Sequence, residues 1–312
     1  MNKFRTWLYN LLLKNYRFKN SRLYDRLLGY AMNPPTSINT RIHERIVSIP
    51  SNYSYPFVAR NHLSFNNPFL ELVHQTHHAK GRKLCIVDVG AAVGDTFLFL
   101  KSNVPHAIEA MYCIEGSDYF FPYLEKNTAN EPEVVRLNVL LSDTEKDIPA
   151  LIHHHGSSAM AAGETKVPAT TLDSLFASKQ MPSIDVLKID VDGFDGRVLC
   201  GASFILSEKK PATIFEFHPA LINQTRNDVE LPFHTLAVCG YKLLLWFDKF
   251  GNFSHSSSLS DAKLFLDVAE KSLNGFYGQD WHYDIVALPY PDRYDLESLK
   301  NCSFASTKPS PW

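Results

Sequence analysis

The 312-residue sequence has five cysteines, Cys85, Cys113, Cys200, Cys239 and Cys302, and no two form a CxxC pair. An odd count, scattered and with three inside apolar runs, fits a reducing compartment better than a disulfide framework. No apolar stretch approaches the roughly 20 residues that a membrane-spanning helix needs. The opening residues, MNKFRTWLYNLLLKNYRFKN, lack the long apolar core and small-residue cleavage site of a secretory leader. These absences make the cytoplasm the expected location. Charge is not in excess either: 31 Lys and Arg stand against 33 Asp and Glu, a net charge of -2. That balance gives no reason to expect a nucleic-acid partner. Internal repeats and low-complexity tracts are missing too; His153-His154-His155 and Ser256-Ser257-Ser258 come nearest.

What is present is a globular balance of 45% hydrophobic and 21% charged residues, in a length that suits one large domain with an extension. Residues 1–80 read as a helical and irregular N-terminal extension. Its first stretch carries Phe4, Trp7, Leu8, Leu11 and Leu12 at helical spacing. Lys3, Arg5, Lys14, Arg17, Lys19, Arg22 and Arg26 surround them, with Asp25 the only acid. The pattern predicts a basic amphipathic helix over residues 3–26. Docking on the domain is its plainest use; a homodimer contact and rest on the inner membrane surface through anionic lipid are the others. Asn33-Pro34-Pro35 breaks the segment. Residues 50–68 read as loop and Pro68 to Lys80 as a short helix.

Residues 81–290 alternate strand and helix signals. Apolar runs at Lys83–Val89, Ala110–Glu115, Val134–Leu141, Ile184–Asp190, Ala212–Phe217, Tyr241–Phe247 and Tyr283–Leu288 predict seven strands. Helical segments fit between them, at Asp95–Ser102, Asp195–Leu206 and Asp261–Ser272. This order predicts an α/β, Rossmann-like fold with a central, mostly parallel sheet and helices on both faces. Residues 291–312 read as a C-terminal tail, mobile from Asn301 onward.

Chemistry concentrates at the strand ends. Asp88-Val89-Gly90-Ala91-Ala92-Val93-Gly94-Asp95 follows the first sheet strand, as a ligand site at the carboxyl edge of an open sheet would. Its glycines are spaced GxxxG, not the GxGxxG that cradles a pyrophosphate. S-adenosylmethionine carries no phosphate, and its sulfonium and amino groups suit Asp88 or Asp95; the competing reading is an ordinary tight turn. Glu115 lies at about the interval of a ribose-binding acid, a role NAD would share. Lys188, Asp190, Asp192 and Asp195 crowd the end of the fourth strand. Acids at a helix start account for Asp192 and Asp195, but not for Lys188 and Asp190 inside an apolar run.

His218 ends the fifth strand and can share a pocket with Asp192. On ordinary acidities the imidazole is the better base, so the pair is expected to act together, with His218 accepting the proton. Asp190, Asp192, Glu216 and His218 could ligate a metal, but Lys188 supplies the counter-charge, and no metal is expected. The His153–His155 triplet reads as a solvated loop, and Gly156-Ser157-Ser158 as a plain surface loop.

Several of these segments resemble the FkbM family of S-adenosylmethionine-dependent methyltransferases. The resemblance rests on Val87–Asp95, on Ile114-Glu115-Gly116-Ser117, and on Thr171-Leu172-Asp173-Ser174-Leu175. It extends through Val186–Asp195, Val198–Ala202 and Ile214–Pro219, in family order. It implies a class I methyltransferase with S-adenosylmethionine as cofactor, and a loop near the donor at Gly156-Ser157-Ser158. The implied reaction is O-methylation of a hydroxyl on a sugar, glycolipid or secondary metabolite, with a small molecule or glycan as acceptor. Asp192, His218, Lys188 and Asp190 form the expected catalytic set. Asp88, Gly90, Ala91, Gly94, Asp95, Glu115, Ser117 and Asp143 form the expected cofactor-binding set. The sequence departs from the family pattern at Ala92, Gly116, Asp192 and Asp195. Two other readings stand beside it: an NAD-dependent oxidoreductase on a similar sheet, and a non-catalytic binding module. The glycine-turn reading predicts that Gly90→Val abolishes donor binding and leaves the chain folded.

Overall fold

Leu84–Val89 is buried at every position, as a parallel strand covered by helices on both faces must be. Around it the chain folds into one mixed sheet. The computed structural model describes residues 2–15, 19, 21–43, 45–154, 158–179, 181, 183–275 and 281–307. The elements run α1 (Asn2–Lys14), α2 (Arg22–Met32), β1 (Ser37–Ile42), β2 (Arg45–Pro50), α3 (Tyr55–Asn61), α4 (Asn67–Lys80) and β3 (Leu84–Val89). They continue α5 (Asp95–Asn103), β4 (Ile108–Ile114), α6 (Phe121–Asn127), β5 (Val134–Leu137), β6 (Ile148–His154), β7 (Ser158–Val167), α7 (Leu172–Ser178) and β8 (Val186–Ile189). After these come α8 (Asp195–Cys200), β9 (Ala212–Phe217), α9 (Pro219–Gln224), α10 (Leu231–Val238), β10 (Leu243–Asp248) and β11 (Phe253–Ser257). The chain ends with α11 (Ala262–Leu273), β12 (Tyr283–Leu288), α12 (Leu296–Asn301) and α13 (Ser303–Ser306).

The main sheet is Rossmann-like, with strand order β11-β10-β12-β9-β8-β3-β4-β5. Strands β5, β4, β3, β8 and β9 are parallel, whereas β12, β10 and β11 pair antiparallel. All seven predicted strands form, and β11 makes eight. Its sequence, Phe-Ser-His-Ser-Ser, has little β-propensity; pairing with β10 makes it a strand. The β1–β2 and β6–β7 hairpins were also not expected.

Three expectations about the flanks need correction. The single helix over residues 3–26 is two helices. Ser21 caps α2 by accepting the Tyr24 N–H, and α2 folds back on α1, with Tyr24 Oη donating to Leu12 O at 2.9 Å and Arg5 Nη2 to Tyr30 O at 2.9 Å. The loop read over residues 50–68 contains α3. The extension docks on the domain: Leu8, Tyr9, Leu12, Ile38 and Ile49 share one buried core with Leu84, Ile86 and Met111.

The chain from Asn301 to Thr307 is packed, not loose. Buried Glu71 on α4 accepts the N–H groups of Phe304 and Ala305 (2.8 and 3.3 Å) and the Ser298 hydroxyl (3.2 Å). Residues 308–312 of the predicted tail lie outside the described residues. Glu71→Ala strands two buried donors, which costs roughly 2–4 kcal/mol. The expected outcome is a lower melting temperature with faster hydrogen exchange across residues 296–306; unchanged exchange there would remove Glu71 as the anchor.

Candidate active site

Strand β3 has β4 on one side and β8 on the other, so the chain order reverses beside it. At such a switch point the loops leave in opposite directions and a crevice opens at the strands' carboxyl ends. A cavity of about 710 Å³ lies there. Gly90, Asp95, Glu115, Lys188, Asp190, Asp192 and His218 line it, as do Glu216, His282 and Asp284. Tyr53, Tyr55, Phe57, His62 and Phe65 from the N-terminal extension form an aromatic wall, and Phe250 stacks on His62 at 3.9 Å.

The glycine turn is built into the sheet. Gly90 has φ +87°, and a Cβ there would overlap the main-chain oxygen of Asp190. The expectation that Gly90→Val leaves the fold intact is therefore corrected: the side chain strains the β3–β8 contact itself, besides requiring a left-handed backbone. Glu115 is held by this turn. Its Oε2 accepts the Ala92 N–H at 2.8 Å and its Oε1 the Ser117 N–H at 2.7 Å. Each oxygen keeps further accepting capacity toward the cavity. Burial pushes the Glu115 carboxyl up to about 7. Asp95, at the start of α5, accepts from the Tyr53 hydroxyl at 2.8 Å, and burial pushes it up to about 6.

Lys188 stands at the centre. Its Nζ lies 2.9 Å from Asp190 Oδ2 and 3.5 Å from Asp88 Oδ1. The register explains this, because Asp88 and Lys188 are partners on adjacent parallel strands. Burial favours the neutral amine, but Asp190 and Asp88 outweigh it and hold Lys188 above its ordinary value. At Asp190 desolvation is likewise outweighed by the Lys188 ammonium, which holds the carboxyl below its usual range. Lys188 is thus a fixed cation and not a base. Asp192 follows in a left-handed conformation, φ 51°, which Asp tolerates better than most residues.

The next strands add Asp284 and His282, which sequence reasoning missed, to Glu216, which it weighed only as a metal ligand. Glu216 on β9 and Asp284 on β12 are antiparallel cross-strand partners, which brings two carboxylates side by side on one face. Burial and the neighbouring Asp190 push Asp284 up to about 7 and raise Glu216 well above its ordinary value. His282 Nε2 approaches Glu216 Oε1 at 3.6 Å, and the His282 ring stacks on His218 at 5.3 Å. The His218 Nδ1 faces the Leu221 N–H at 3.5 Å, at the start of α9. One signal for Asp284 was available: a lone acid in the apolar run Tyr283–Leu288.

Other predicted residues fall outside the cavity wall. Asp88, Ala91, Gly94 and Ser117 are not among its lining residues. Asp143 is also off the wall, and its Oδ1 accepts from Arg197 Nε and Nη2 at 2.9 and 2.6 Å. His153 and His154 belong to β6 and not to a loop; their side chains, and all of His155, Gly156 and Ser157, lie outside the described residues. Among the described residues, no three His, Cys, Asp or Glu are grouped to hold a metal ion.

The Methyltransferase FkbM domain matches residues 88–243, half of the chain. The chain belongs to the FkbM methyltransferase family. The nicotinamide oxidoreductase reading is set aside. Among solved structures, the chain is similar to methyltransferase FkbM from Methylobacillus flagellatus KT, at 15% identity and TM-score 0.40. That match covers 52% of this chain and 39% of the other, so this chain spans well under half of that protein. It is also similar to the plantazolicin methyltransferase BamL in complex with a triazolic desmethylPZN analog and SAH, at 10% identity and TM-score 0.41, covering 76% and 89%. A third is M. jannaschii TYW2 in complex with AdoMet, at 11% identity and TM-score 0.38, covering 81% and 85%. No curated protein matches the sequence.

The FkbM cavity fits a cationic donor. Its turn has no phosphate cradle, and carboxylates outnumber cations along its wall. The raised carboxyls also bear on stability. Groups whose acidity is weakened by folding bind more protons in the folded state, so their stabilisation is complete below about pH 4 and is lost as pH rises through about 7. A melting temperature lower at pH 8 than at pH 5.5 is expected. Asp284→Asn should recover on the order of 2 kcal/mol at pH 8; a pH dependence identical to wild type would refute this assignment.

Proposed function

We propose that this chain transfers a methyl group from S-adenosylmethionine to a hydroxyl oxygen of a small-molecule or glycan acceptor. The observation that carries the reading is the buried Glu216–Asp284 pair beside the switch-point cavity. The donor supplies a methyl carbon activated by its sulfonium. Glu115 holds ribose hydroxyls with the accepting capacity left by Ala92 and Ser117, and Asp95 and Asp190 face the cationic part. Held in line, the partners gain roughly 7–11 kcal/mol from positioning in favourable cases.

A hydroxyl acceptor must also lose its proton. Burial and the surrounding acids push Asp284 up to about 7 and raise Glu216 above its ordinary value. That makes the pair a base suited to pH 7. His218 was expected to be the proton acceptor. Its Nδ1 already accepts the Leu221 N–H, which leaves Nε2 for the acceptor oxygen. We therefore assign His218, with Asp192, to orienting the acceptor oxygen. The aromatic wall of Tyr53, Tyr55 and Phe57 gives the acceptor a flat apolar surface.

Calorimetry should find binding of S-adenosylmethionine and none of NAD, and turnover separates an enzyme from a module that only binds. The rate is expected to fall on the acid side of about pH 7. Asp284→Asn should lower kcat by about 10²–10⁴ and remove that limb, whereas His218→Ala should slow the reaction and keep it. The reverse pattern would return the base to His218.

A further inference from the structure

The outward face of the α1–α2 hairpin is apolar. On α1, Phe4, Trp7 and Leu11 are 53%, 57% and 40% exposed; on α2, Leu23, Leu27 and Tyr30 are 69%, 36% and 51% exposed. Their spacing puts each trio on one helix face. The two faces meet, for the Phe4 ring lies 5.7 Å from Trp7 and 6.5 Å from Tyr30. Leu8, Tyr9, Leu12 and Leu13 on the inner side are buried, so this outer stripe is surplus to the core.

Charge is segregated to the same hairpin. Residues 1–32 hold seven Lys and Arg and one acid, Asp25, although the whole chain carries -2. Lys3, Lys14, Lys19, Arg22 and Arg26 are exposed around the stripe. Aromatic and leucine side chains ringed by cations are what an anionic lipid interface accommodates: rings enter the headgroup boundary and the cations meet lipid charge.

The hairpin also backs the cavity. Tyr9 Oη donates to Tyr53 O at 3.1 Å and the Tyr9 ring sits edge-on to Phe57 at 5.0 Å. Lys19 acts electrostatically on His62, another lining residue. We propose that the α1–α2 hairpin docks this chain on an anionic membrane surface and sets the cavity beside the bilayer. The acceptor is then an amphiphile whose hydroxyl-bearing head is presented from that surface. The acceptor class rests on the methyl-transfer reading; the docking does not.

Co-sedimentation of the full chain with phosphatidylcholine vesicles, with and without phosphatidylglycerol, tests the docking. Binding is expected only with phosphatidylglycerol and should be released by salt. Phe4→Ser with Trp7→Ser and Leu23→Ser should weaken binding about tenfold or more. Lys3→Glu with Arg22→Glu and Arg26→Glu should do the same. All six residues are exposed, so calorimetric S-adenosylmethionine binding should persist in both variants. Vesicles should also shift the tryptophan emission of wild type to the blue, and not that of Trp7→Phe. Absence of wild-type binding, or equal binding by both variants, overturns the proposal. So does a wild-type dimer that the first variant converts to monomer without any vesicle binding, which would make the stripe a contact between copies. Docking without turnover on any hydroxylated lipid would leave the surface standing and overturn the acceptor class.

Discussion

The site depends on one buried cation. Lys188 is only 8% exposed in a central strand, where an unpaired charge would cost several kcal/mol. Asp88 on the adjoining strand and Asp190 at the strand end make that burial tolerable, and Lys188 does the same for them. The surrounding acids are not all served by it. Asp95, Glu115, Glu216 and Asp284 are raised by burial, so the cavity wall has unmet demand for positive charge. Such a wall suits a cationic ligand. Asp185, at the opposite end of β8, shows the contrast: Arg82 binds it bidentately and the Cys85 N–H donates to it, which leaves a structural acid.

The family-defining segment builds only part of the cavity. Residues 88–243 supply the glycine turn, Glu115, Lys188 and the acids that follow it. The aromatic wall comes from before that segment, and Phe250, His282 and Asp284 come from after it. The cavity wall therefore draws on the matched segment and on both of its flanks. Tyr53 joins the first flank to that segment, because its hydroxyl holds Asp95 at the head of α5 while its ring faces the cavity.

Legibility in the sequence followed the strength of local patterns. The strands with continuous apolar runs were all readable, because full burial on both faces demands them. Strand β11 and the β6–β7 hairpin were not, since their small and polar residues become strands only through a partner. Helix α3 was hidden by the Asn, Tyr, Ser and Pro around it. Asp143, expected among the cofactor-binding residues, lies off the cavity wall and accepts from Arg197.

The sequence by itself determined the parallel core, the glycine turn, the acids at the strand ends and the family, because each is written in short windows of periodicity and spacing. Tertiary structure alone decided the partnership of Glu216 with Asp284, the stacking of His282 on His218, and the folding back of α2 on α1. Those features join residues remote along the chain, and a carboxyl's acidity or a helix face's exposure depends on what packs beside it.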